Sequence, residues 1–126
     1  MAKKTVLGIG IEPALADYAM FPGLTPELIR NHLDAQIGQL RALGYDAEVC
    51  LIDLGETAEQ VVMTALQSRK FDGIVIGAGL RLPPPRLPLF EKIINLIHMH
   101  APPSTRICFN TTPADTVEAV QRWLRP

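Results

Sequence analysis

The chain has 126 residues, 48% of them hydrophobic and 20% charged, which fits one globular domain and excludes a disordered segment. Twelve basic against thirteen acidic side chains leave a net charge of -1, which excludes the basic footprint of a nucleic-acid binder and a polybasic membrane patch. No run approaches the roughly eighteen apolar residues of a membrane span.

Thr5 to Ile11, TVLGIGI, is apolar on both faces and predicts a buried parallel strand. Lys3, Lys4, this run and Ala14-Leu15-Ala16 loosely imitate a secretion signal, but the run is short and interrupted by Gly8 and Gly10. The cytoplasm is therefore the expected compartment. Glu12 to Leu24 is a long loop whose Tyr18, Met20 and Phe21 need apolar cover, and a lid or partner-contact role is expected for it. Thr25 predicts an N-cap, with Pro26 at the first helical position. Ile29, Leu33, Ile37 and Leu40 make one apolar face of that helix, and Gly44 closes it.

Ala47 to Ile52 predicts the second strand. Thr57 and Gln60 suggest a capping box for a helix through Ala58, Val61, Val62, Ala65 and Leu66. Gly73 to Gly77 is the third strand. Ala78 to Arg86 reads as an irregular, proline-rich connection, and Leu87 to His100 as a helix. Thr105 to Phe109 is the fourth strand, and Thr112 is the expected cap of a last helix through Val117, Val120 and Leu124. The eleven prolines all fall in loops, first helical turns or at the terminus, where a missing N–H is tolerated.

Strict βα alternation predicts a parallel sheet covered by helices on both faces. The most apolar strands, first and third, belong in the centre, giving the order 2-1-3-4. This arrangement resembles a small flavodoxin-like or receiver-like domain, a doubly wound three-layer sandwich. The resemblance stops at the fold. A receiver's phosphorylated aspartate would end the third strand, where Gly77 stands, and a flavodoxin's hydroxyl-rich phosphate loop would occupy EPALADYAM, which has no Ser or Thr. Likewise GIGIEP has Pro13 where a dinucleotide fingerprint requires its third glycine. Gly8 and Gly10 are expected instead to let a helix lie close to the central strand.

Cys50 and Cys108 form no CxxC pair, and on the two outer strands they stand too far apart for a disulfide. Two free thiols agree with a reducing compartment. The histidines have no metal-ligand spacing, so neither a metal nor a cofactor is expected.

Ligands of such sheets bind outside the carboxyl ends of the strands, where the strand order reverses. The candidates delivered there are Glu12, Gly77, Gly79, Arg81, Asn110, Thr111 and Thr112. Arg81 and exposed glycine amides would suit a small anionic metabolite or nucleotide, and Glu12 would be the acid or base of any reaction if the fold buries it. The other expectation is a homo-oligomeric interaction protein without chemistry of its own. At about 100° per residue, the apolar side chains from Leu87 to Ile97 cover an arc of about 180° on their helix. That is more than one side of a sheet buries, and Phe90, Ile93, Ile94 and Ile97 are the expected interface.

Overall fold

The computed structural model describes residues 2–126. Its sheet is four-stranded and wholly parallel, in the order β2-β1-β3-β4. The strands are β1 (Thr5–Ile11), β2 (Asp46–Ile52), β3 (Gly73–Ile76) and β4 (Arg106–Phe109). The helices are α1 (Pro26–Ala42), α2 (Ala58–Ser68), the single turn α3 (Ala78–Arg81), α4 (Leu87–His100) and α5 (Thr116–Gln121). This is the expected three-layer sandwich of flavodoxin-like type.

Alternation along the central strand divides the core in two. Leu7, Ile9 and Ile11 of β1 face α2 and α4, packing with Val62, Ile74, Ile76, Ile93 and Ile97. Val6 faces the other way, with Ile37 and Leu40 of α1 and Val117 and Val120 of α5. Tyr45, buried at the turn into β2, donates its hydroxyl to the Leu124 carbonyl at 2.6 Å and so ties the chain end to this second layer.

Most local signals act as expected. The Thr25 hydroxyl accepts from the Leu28 N–H at 3.2 Å. Gly44 follows α1 at φ +102°, a left-handed conformation that favours glycine. Two signals are overridden. The cap of α2 is not a Thr57–Gln60 box: the Asp53 carboxylate takes the Gly55 and Thr57 amides and the Thr57 hydroxyl, while Gln60 bonds to Thr64. The last helix begins at Thr116, not after Thr112, because Asp115 folds back over the turn before it. The proline-rich connection also contains more order than its composition suggests, with α3 and a 3-10 turn at Pro84–Arg86.

Among the described residues no helix is long and apolar enough to cross a membrane. Cys50 and Cys108 lie on the two outer strands as free, buried thiols. Burial raises both above the ordinary thiol value, Cys108 to about 11. At pH 8 a thiol of that kind is thiolate in about one molecule in a thousand. An aromatic disulfide reagent at pH 8 is therefore expected to leave both unmodified in the folded protein and to titrate two thiols in denaturant. Rapid native labelling of Cys108 would contradict this burial.

Candidate functional site

The chain leaves space at the carboxyl ends of β1 and β3, where the strand order reverses. Val6, Gly8 and Gly10 share the face of β1 that meets the α1 layer, but only Val6 has a side chain to fill it. A Cβ on Gly8 would meet only the Glu48 carbonyl oxygen, at 3.9 Å, and one on Gly10 would meet nothing within 4 Å. The glycines therefore do not admit a closely packed helix, as their sequence suggested. Large side chains support α1 at its far end, with Ile37 and Leu40 on the core, and the gap over Gly8 and Gly10 stays open. Bare backbone meets bare backbone beside it: a Cβ on Gly77 would stand 3.5 Å from the Gly10 Cα.

The gap is a slot between sheet and helix. Its outer part, about 70 Å3, is lined by Gly10, Ile11, Ala16, Phe21, Leu24, Ile29, Leu33, Leu51, Gly77, Ala78, Gly79, Asn110 and Pro113. An inner part of about 50 Å3 reaches Gly8, Gln36, Val49, Val75 and Thr116, and shares Gly10, Leu33, Leu51, Gly77 and Asn110 with the first. Among the described residues no charged side chain lines either part.

Three neutral polar side chains stand along the inner wall and brace it. Asn110, buried at the end of β4, accepts from the Ala78 N–H at 2.8 Å and donates to the Thr116 hydroxyl at 3.1 Å. It thereby joins the start of α3 to the start of α5. Gln36 of α1 accepts the Val117 N–H at 2.9 Å, leaving its own amide NH2 beside the slot.

Of the residues expected at a ligand site, Gly77, Gly79 and Asn110 line the slot, and the other four do not. Glu12 is held at the rim by Arg30, at 2.7 Å, and is about one-third exposed, so it is not the buried acid the sequence allowed. Arg81 turns the opposite way, donates to the Asn110 carbonyl at 2.7 Å and lies over the Phe109 ring at 5.1 Å; its Nε has no partner. Glu12 and Arg81 therefore do not share a crevice. Thr111 and Thr112 spend their amides on Asp115, at 2.9 and 3.0 Å, and the Thr111 hydroxyl bonds to the same carboxylate. The anion position expected at this turn is thus filled by the chain's own carboxylate.

The first loop is ordered over the slot mouth. Phe21 enters the lining, the Tyr18 hydroxyl donates to the Pro13 carbonyl, and Met20 is 40% exposed. On α4, Ile93 and Ile97 are turned into the core at 0% and 2% exposure, which leaves Phe90 and Ile94, both half-buried, as the members of the expected interface with surface to offer. Among the described residues no group of three His, Cys, Asp or Glu side chains could hold a metal ion. The sequence reading missed Leu24, Ile29, Leu33 and Leu51. The available signal was the pair Gly8 and Gly10, two positions apart and hence on one face of β1. No known protein family matches the chain, and no curated protein matches it.

The Asp115 clamp has a pH signature. Burial would raise this carboxyl, but the bonds from Thr111 and Thr112 outweigh it and hold it below the ordinary carboxylate range. A lowered pKa in the folded state means stabilisation that is present above the ordinary value, near 4, and is lost as pH falls toward the folded value. Asp115→Asn is expected to cost about 1 kcal/mol at pH 7, allowing for partial exposure. The deficit against the unsubstituted protein should shrink on going to pH 3 in urea unfolding. A deficit of equal size at both pH values would contradict the clamp.

Proposed function

We propose that this protein is a small-molecule binding domain whose ligand is a small, neutral, predominantly apolar ring held edge-on in the slot beneath α1. The observation that carries the reading is the empty space over Gly10, in a slot that no charged side chain among the described residues lines. Its two adjoining parts, about 70 and about 50 Å3, are each smaller than the ~150 Å3 of a closed apolar cavity that admits benzene, but both open to solvent, so a ring can enter in part. A slot between peptide planes below and Leu33 above suits a flat molecule better than a branched one. The Gln36 amide and the Thr116 hydroxyl would orient one carbonyl or hydroxyl of that molecule.

The anionic-ligand alternative has less support, because Arg81, Thr111 and Thr112 already serve groups of the chain itself. Glu12, engaged by Arg30 at the rim, offers no base at the slot's centre, so the reading is of binding and not of catalysis. Self-association is the second reading, favoured by the half-exposed apolar side chains of α4. A cytoplasmic setting is part of the proposal and rests on the two free thiols.

Titration of the 15N-labelled protein with indole and, separately, with benzoate tests the ligand class. Indole is expected to shift the amide resonances of Gly8, Gly10, Leu33 and Leu51, and benzoate to do so at least tenfold more weakly, since a carboxylate loses its hydration without gaining a partner. Gly10→Leu places a side chain in the slot and should abolish the indole response with the fold retained. Shifts scattered over the surface, or an unchanged response in Gly10→Leu, would refute the proposal.

A further inference from the structure

Among the described residues the sheet ends at β4, with no strand on its outer edge. Arg106 donates its N–H to the Asp72 carbonyl on the β3 side. Backbone groups alternate in direction along a strand, so Ile107 and Phe109 turn theirs outward. The side chains of these two residues share the α4 face of the sheet. Phe109 is 38% exposed there, with its ring 5.9 Å from that of Phe90. Ile94, one helical turn further along α4, extends the same apolar strip. On the opposite face, α5 carries Glu118, and Arg122 follows one turn later as the residue that caps the helix. Both are exposed, and neither makes an ion pair among the described residues. Arg122 reaches to the edge itself, donating to the Phe109 carbonyl at 2.6 Å.

We infer that this edge is a self-association surface, to which a second copy of the chain adds its own β4 antiparallel about a two-fold axis at Cys108. Ile107 then stands opposite Phe109 of the second copy. Their outward N–H and C=O groups pair, and their side chains form an apolar cross-strand pair next to Phe90. The charges select a second copy as the occupant. α5 runs opposite to β4, from Thr116 beside Asn110 to the helix's far side, where Leu124 lies against Gly73. Cys108 is therefore level with about the middle of that stretch, between Glu118 and Arg122. A two-fold at this height sets Glu118 of each copy against Arg122 of the other, and Arg122 exchanges the Phe109 carbonyl for a carboxylate. Arg106 falls opposite Asn110 of the second copy and on the α5 face, so the two Arg106 side chains do not stand opposite each other. The flank made by α4, β4 and α5 measures about 30 Å across three layers and about 20 Å along the helix, of the order of the ~800 Å2 that a standard interface takes from each partner. This surface is separate from the slot, so its failure would leave the ligand reading untouched.

Sedimentation equilibrium over 1–100 μM (about the range a standard interface calls for) tests the inference on the intact chain. The unsubstituted protein is expected to be a dimer. Glu118→Arg and Arg122→Glu should each weaken association by about tenfold, because each replaces two attractive pairs with two repulsive ones. The double swap E118R/R122E should restore it. Far-ultraviolet circular dichroism verifies that each variant is folded; both positions are exposed, and a variant that unfolds is replaced by Glu118→Gln or Arg122→Gln, for which a smaller weakening is expected. A monomer throughout this range would overturn the inference. So would a dimer that the single substitutions leave intact or that the double swap fails to restore.

Discussion

The absence of side chains at two successive inward positions of one strand shapes the space between sheet and helix at the carboxyl end of β1. Alternation obliges Gly8 and Gly10 to face α1, and a helix can descend only as far as its other supports allow. Ile37 and Leu40 rest on the core near the amino end of the sheet. At the other end the bare backbone of Gly8 and Gly10 lies below Leu33, and nothing occupies the space a Cβ on Gly10 would enter. Close packing makes such space costly in an ordinary core, at about 24 cal/mol per Å3 of cavity. This slot is open at its mouth, so water can enter it and the cost is smaller than that of a sealed cavity.

The polar groups around the slot show the opposite tendency, toward partners within the chain, with the Gln36 NH2 left over. Asn110 spends its amide on Ala78 and Thr116, Gln36 accepts from Val117, and Asp115 gathers the amides of Thr111 and Thr112. Each bond joins two elements or closes a turn at the mouth of the slot. Asn110 and Thr116 are buried and bonded to each other, and such satisfied groups fix the wall without attracting ions. The result is a hydrogen-bonded frame around an apolar opening, with the charged groups engaged elsewhere, Glu12 by Arg30 and Arg81 by the Asn110 carbonyl.

Much of this architecture is legible in the sequence. Thr25-Pro26 marks the start of α1, the confinement of proline to loops marks the element boundaries, and the unbroken apolar runs of β1 and β3 identify the central strands. Those signals are local or periodic, and they survive tertiary packing unchanged. The site was less legible because its chemistry depends on distances between elements. Glu12 and Arg81 both follow central strands, yet one meets Arg30 from α1 and the other turns to Phe109 and Asn110 beside β4. Asp115 takes the amides of Thr111 and Thr112 through a turn whose geometry the residue spacing alone does not fix. The breadth of the apolar arc on α4 was real, but the proportion that packs inward, Ile93 and Ile97 included, is set by how deeply the helix sits between α2 and the β4 edge.

The central claim is that the space over Gly10 is a persistent apolar site and not a transient gap. A crystal of the protein held under xenon tests this most directly, since xenon enters apolar cavities that are open and dry. The account predicts a xenon atom between the Gly10 backbone and Leu33, with Leu51 and Phe21 unmoved. Leu33 and Phe21 collapsed onto Gly8 and Gly10, with no xenon between them, would contradict it.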